Sequence, residues 1–146
     1  MQNSVFILGS LFMGSMLSIY LPMNSAVSRH LGSSITANIT FFLIAFISSI
    51  LIFLFWGEYE TIKKINKVPY WLYLSGAVSA LMVLGTTYLI PRVGIRQFFI
   101  LVVSGQLLCA IIMSHYAFLG TPRDPVSIKK LIGAFLVILG AIFSTI

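Results

Sequence analysis

Charged side chains punctuate this chain rather than alternate with apolar ones. None precedes Arg29, none falls between Arg29 and Glu58, between Lys67 and Arg92 or between Arg96 and Arg123, and the last is Lys130. Each of these four intervals is long enough for a membrane-spanning helix, which needs about 20 mostly apolar residues. The pattern predicts helices at about Ser4 to Val27, Ser34 to Trp56, Tyr70 to Ile90 and Gln97 to Phe118. A fifth, Ser127 to Thr145, opens with Lys129 and Lys130, whose long stems can carry their charges to the interface. In hydrocarbon every backbone N–H and C=O has to be paired inside the protein, which leaves helices or a closed barrel. Continuous apolar runs without period-two alternation exclude the barrel. The expected fold is all-α, one five-helix transmembrane domain over residues 1–146.

Composition agrees with that reading. Of 146 residues 59% are hydrophobic and 8% charged, against about 25% charged in soluble domains, and the mean hydropathy is +1.05. A chain this short cannot hide so much apolar surface in one core, so lipid is the expected partner. The 9 Lys and Arg against 3 Asp and Glu give a net charge of +6. In a soluble protein that excess would suggest nucleic acid; between apolar runs it acts as a topology signal instead, and no nucleic-acid partner is expected. A single cysteine, Cys109 in an apolar stretch, supplies neither a disulfide framework nor metal-ligand spacing. The amino-terminal run MQNSVFILGSLFMGSMLSIYLP has no preceding Lys or Arg and no small-residue cleavage site, and reads as a retained span rather than a signal peptide.

Five crossings place Lys63, Lys64, Lys67, Arg123, Lys129 and Lys130 on the amino-terminal side and Arg29, Arg92 and Arg96 on the other. The positive-inside rule then puts the amino terminus in the cytoplasm, with the protein multi-pass in the inner (plasma) membrane. Trp56, Tyr59, Tyr70 and Trp71 fall at span ends on that same face, as an interfacial aromatic belt does.

Polar residues inside the spans are the candidates for chemistry. Tyr20 and Asn24 lie four apart on one helical face, with Pro22 between them. Pro22 has no N–H for the Ser18 carbonyl, and broken helices with exposed carbonyls recur in transporter sites; a tolerated bend is the plainer reading. Gln106, in the middle of the fourth span, is costly to leave against lipid and calls for protein or water beside it. An ordinary interhelical hydrogen bond of about 1 kcal/mol or less would also account for it, and Gly105 permits close approach. Asn38 is a further polar residue early in the second span. Ser75, Ser79 and Thr86 form a weak stripe better suited to packing. Tyr20, Asn24, Asn38 and Gln106 are therefore the candidate substrate-binding residues.

Other signatures point away from enzymes. Glu58, Glu60 and Asp124 all lie in loops, which disfavours exchange of a cation for protons through a buried acid. His115 beside Tyr116 reads as an interfacial anchor. Ser104 and His115, eleven apart, are too distant for a nucleophile and base, and the common hydrolase, zinc-protease and phosphate-loop motifs are absent from the sequence. No catalytic residue, metal site or cofactor is expected. Small residues at packing intervals (Ser10, Gly14 and Ser18; Gly76 and Ala80; Gly133 and Gly140; Gly140 and Ser144) predict a tight bundle and a partner.

Several segments are specific. LPMNSAVSRHLGSSITA from Leu21, PRVG from Pro91, SGQLL from Ser104, SHYAFLGTPRDPVS from Ser114 and KKLIGAFLVILGA from Lys129 resemble, in order and spacing, the half-size five-helix branch of the drug/metabolite transporter superfamily, the YdcZ type. Tyr20 departs from the Gln common at its place in that family, and Ser114 stands where an Asp commonly precedes the His. The resemblance implies half of a ten-helix inverted-repeat transporter, which dimerises in antiparallel fashion with a copy of itself or with a paralogue. The small organic substrate would move by alternating access. The runner-up expectation is a non-transporting membrane subunit that stabilises or regulates a partner membrane protein.

Overall fold

The computed structural model describes the backbone of residues 2–120 and 122–145 and the side chains of residues 4–120 and 122–144. Five α-helices follow one another: α1 (Gln2–Leu31), α2 (Ser34–Trp56), α3 (Leu74–Val93), α4 (Ile95–His115) and α5 (Ile128–Thr145), and no strand occurs among the described residues. Short 3-10 segments cover Tyr59–Lys67, Tyr70–Tyr73 and Phe118–Gly120. Four stretches are long and apolar enough to cross a membrane: Ser4–Leu31, Ser34–Trp56, Tyr70–Val93 and Ile95–His115. They overlap the four charge-free intervals, reaching beyond them to include Arg29, Arg92 and Arg96 at span ends. The fifth helix has 18 residues, about 27 Å at 1.5 Å per residue, and its first turn carries Lys129 and Lys130.

Helix ends differ from those expected, for local reasons. α1 runs on past Val27 to Leu31, because Pro22 removes one hydrogen bond without forcing the chain out of helix, as neighbouring turns permit in a span. It stops where Gly32 takes φ 68°, the left-handed cap that glycine adopts without Cβ strain. Ser33 then caps α2 at once, its hydroxyl accepting from the Thr36 N–H at 3.2 Å. The expected first turn of the third helix is a 3-10 turn after Pro69, and α3 continues beyond Ile90 through Pro91 to Val93. α4 ends at His115 rather than Phe118, since Ala117, Leu119 and Gly120 all have positive φ (51°, 57° and 74°).

The chain forms two compact units, one up to Arg92 and the other from Val93. In the first, the carboxyl-terminal half of α1 packs against α2 and is hydrogen-bonded to α3. Its interior is rich in small and hydroxyl-bearing residues: Ser25, Thr86 and Thr87 are the largest fully buried side chains among the described residues, joined by Ala37, Ile90, Asn24, Val83 and Leu21, while Phe6, Ile7, Phe46 and Leu54 are exposed. Membrane bundles have this distribution because lipid is as apolar as leucine and small residues let backbones approach. Residues 4–19 of α1 are exposed on every face.

In the second unit α4 packs against α5. The buried positions of α5 are Ala134 and Ala141, whereas Gly133 and Gly140 are exposed. Gly140 still lines the groove beside α4 together with Ala141, so the buried contact of α5 falls on the two alanines, at the same seven-residue spacing, with Gly140 at its margin.

Candidate functional site

α1 presents Tyr20, Met23, Asn24, Val27 and Leu31 along one stripe, at steps of three and four residues. α2 presents Thr40, Phe41, Ile44 and Ala45 opposite, and the two line an open surface groove of about 600 Å³. Small-molecule sites commonly span about 300–1,000 Å³. The rings of Tyr20 and Phe41 stack at the groove wall, with centroids 5.8 Å apart and planes 22° from parallel. Thr40 returns its hydroxyl to the Ala37 carbonyl at 3.0 Å, so Tyr20 and Asn24 are the polar groups of the lining that are not spent on their own helix. No charged side chain lines it.

Asn24 is fixed by α3. Its Nδ2 donates to Thr87 Oγ1 at 2.8 Å, and that hydroxyl donates to the Val83 carbonyl at 2.8 Å. Thr87 also explains its neighbour. Pro91, four residues later, has no N–H to give the Thr87 carbonyl, and Ser25 Oγ from α1 donates to that oxygen at 3.4 Å. An acceptor that the proline frees inside a span is therefore met by the adjacent helix, as unpaired buried carbonyls require. Ser28 and Ser34 share a hydrogen bond of 2.9 Å where α1 turns into α2.

The other candidates stand apart from this groove. Asn38 lies three residues before Phe41 on α2, and its Oδ1 is buried without a hydrogen-bond partner among the described residues. Gln106 sits mid-way along α4 on an exposed face, so its own unit does not cover the amide. α4 and α5 line a smaller open groove of about 340 Å³ with residues such as Phe99, Val103, Ser104 and Val137. Ser104 spends its hydroxyl on the Ile100 carbonyl at 2.8 Å, which leaves that groove apolar in character. Of the stripe on α3, Thr86 is buried and bonds the Met82 carbonyl at 2.8 Å, while Ser75 and Ser79 are exposed.

His115 holds the connection that follows α4. Its Nδ1 accepts the Val126 N–H at 3.2 Å and its ring meets Tyr116 edge-on at 4.8 Å. The Asp124 N–H bonds the Ser114 carbonyl at 3.0 Å, and Lys130 Nζ reaches both the Asp124 carboxylate and the Pro125 carbonyl. The histidine thus ties the connection between α4 and α5 to the end of α4.

Sequence reasoning missed Ser25, Ser28 and Thr87. Serine and threonine in spans usually bond their own preceding turn, so they carry little signal alone; the readable clue was Pro91, which marks the carbonyl four residues back.

A family model described as "Putative inner membrane exporter, YdcZ" matches residues 5–143. No curated protein and no solved structure matches the chain.

Proposed function

The chain belongs to the YdcZ family, multi-pass inner-membrane proteins described as exporters, and from that premise we propose that it is half of a transporter of the drug/metabolite superfamily. In this reading α5 is a fifth span and the amino terminus is cytoplasmic. A second copy inserted in the opposite sense completes the protein, and a small organic molecule crosses by alternating access. Transport rather than catalysis is the activity that the family description supports.

The observation that carries the proposal is the α1–α2 groove. It is an open groove between two helices, lined by apolar residues, stacked aromatics and one amide. A concave site with few placed polar groups is the usual form of a small-molecule site, and its missing wall is what a second half would supply. The uncharged lining favours a lipophilic, ring-containing molecule over an inorganic ion. Two further features support the second copy: residues 4–19 of α1 are exposed, and Gln106 is exposed at mid-span, where an amide against lipid is costly. The proposed substrate contacts are Tyr20, Asn24 and Asn38 in the first unit and Gln106 in the second.

The test is reconstitution. Purified protein is screened against lipophilic aromatic compounds by melting temperature, where a true ligand at a hundred times its Kd stabilises by about 2.7 kcal/mol. Uptake of the best stabiliser into liposomes is then measured. Gln106→Leu is expected to fold and dimerise yet lose uptake; retained uptake removes Gln106 from the contacts. Uptake by no compound in the panel, with no stabilisation, favours the subunit that only supports a partner.

A further inference from the structure

Between α2 and α3 the chain forms a nine-residue 3-10 helix, Tyr59–Lys67, a conformation that rarely exceeds about 3–4 residues. Its sequence accounts for the length. At three residues per turn side chains three apart eclipse one another, and YETIKKINK repeats with that period. Tyr59, Ile62 and Ile65 make one edge, while Lys64 and Lys67 fall together on another. A turn of 3.6 residues would fan the apolar edge over about 120°.

The apolar edge is uncovered: Tyr59, Ile62 and Ile65 are 58%, 49% and 51% exposed. Of the three lysines only Lys63 is ion-paired among the described residues, to Glu60 at 2.9 Å. Tyrosines pin the segment to both neighbouring spans. The Tyr59 hydroxyl donates to the Leu54 carbonyl of α2 at 3.1 Å, and Tyr73, just before α3, donates to the Ile65 carbonyl at 2.9 Å. Both span ends carry exposed Trp56, Tyr70 and Trp71, the residues that settle at headgroup level. An amphipathic strap is thereby held at the boundary between lipid and water, apolar edge free and two cations unpaired.

We propose that Tyr59–Lys67 is a docking surface for anionic phospholipid. Tyr59, Ile62 and Ile65 enter the boundary between headgroups and acyl chains, as the apolar face of an interfacial amphipathic segment does. Lys64 and Lys67 take lipid phosphates, the partner that complementary charge selects at that depth. The proposal stands whether or not the protein transports anything, since it needs only the membrane location.

The full chain is placed in nanodiscs of phosphatidylcholine alone and of phosphatidylcholine mixed with phosphatidylglycerol, and its melting temperature is followed. The mixed bilayer is expected to raise the melting temperature of the unaltered protein, and high salt to abolish the rise by screening exposed charge. Lys64→Gln with Lys67→Gln should melt like the parent in phosphatidylcholine and lose most of the rise in the mixture. Inorganic phosphate added to phosphatidylcholine discs should not reproduce it. A rise that survives high salt overturns the proposal even if the variant cannot be purified. So does a rise unchanged in the variant, one matched by inorganic phosphate, or the absence of any rise.

Discussion

Thr87 is the residue on which the first unit turns. Its hydroxyl receives Asn24 and its carbonyl, released by Pro91, receives Ser25. Hydrogen bonds between spans are modest, about 0.6 kcal/mol on average, but a buried acceptor left with no donor costs about 1–3 kcal/mol. Ser25→Ala should therefore destabilise by about 1–2 kcal/mol in a denaturation assay in detergent. Pro91→Ala restores a helical N–H to Thr87, so the same Ser25→Ala change made in that background should cost much less. Equal costs in both backgrounds would show that the serine acts by packing alone. Tyr20→Leu removes one ring of the stacked pair with Phe41. An aromatic pair contributes about 0.5–1.5 kcal/mol, so the fold should lose about that much in a denaturation assay, and an aromatic ligand that stacks on the Tyr20 ring should also bind more weakly by titration. Tyr20 and Asn24 were legible in the sequence as neighbours on one face. Ser25 and Thr87 were not, because a hydroxyl reveals its partner only once the proline opposite is placed.

Among the elements, helix positions were legible because charge is so costly in hydrocarbon that the gaps between charged residues outline the spans. Ends were less so: α4 stops at a turn in which Ala117 and Leu119 take left-handed φ, and neither residue type announces that conformation. The α4–α5 contact shows a similar limit. Gly133 and Gly140 fit the small-residue pattern as well as Ala134 and Ala141 do, and only burial distinguishes them. Ala134→Leu should destabilise by about 1–3 kcal/mol through overpacking, whereas Gly133→Leu should leave the melting temperature of the isolated chain near the parental value. A reversal of that order would return the seam to the glycines.

At the scale of the molecule, most large apolar side chains are exposed and small or hydroxyl-bearing residues make up much of the buried set, with Leu21, Ile90 and Phe98 as large exceptions, which suits a bilayer as solvent. The fold class was legible from composition, since 59% hydrophobic residues in 146 leave water no role as the main solvent. The groove itself was not, because two helical stripes face one another only after α1 and α2 have turned back at Gly32 and Ser33. An open groove, a first helix exposed along residues 4–19 and an exposed Gln106 are the features that support the proposed second copy. The five expected crossings divide the basic residues six to three, Lys63, Lys64, Lys67, Arg123, Lys129 and Lys130 against Arg29, Arg92 and Arg96, a bias modest enough to leave room for a minority of chains inserted in the opposite sense. The direct measurement replaces Cys109 by serine, places one cysteine at Asn66, and labels cells expressing this chain alone with a membrane-impermeant maleimide before and after permeabilisation. An antiparallel pair of copies predicts two populations, one labelled from outside and the other only after permeabilisation; labelling confined to a single face contradicts it.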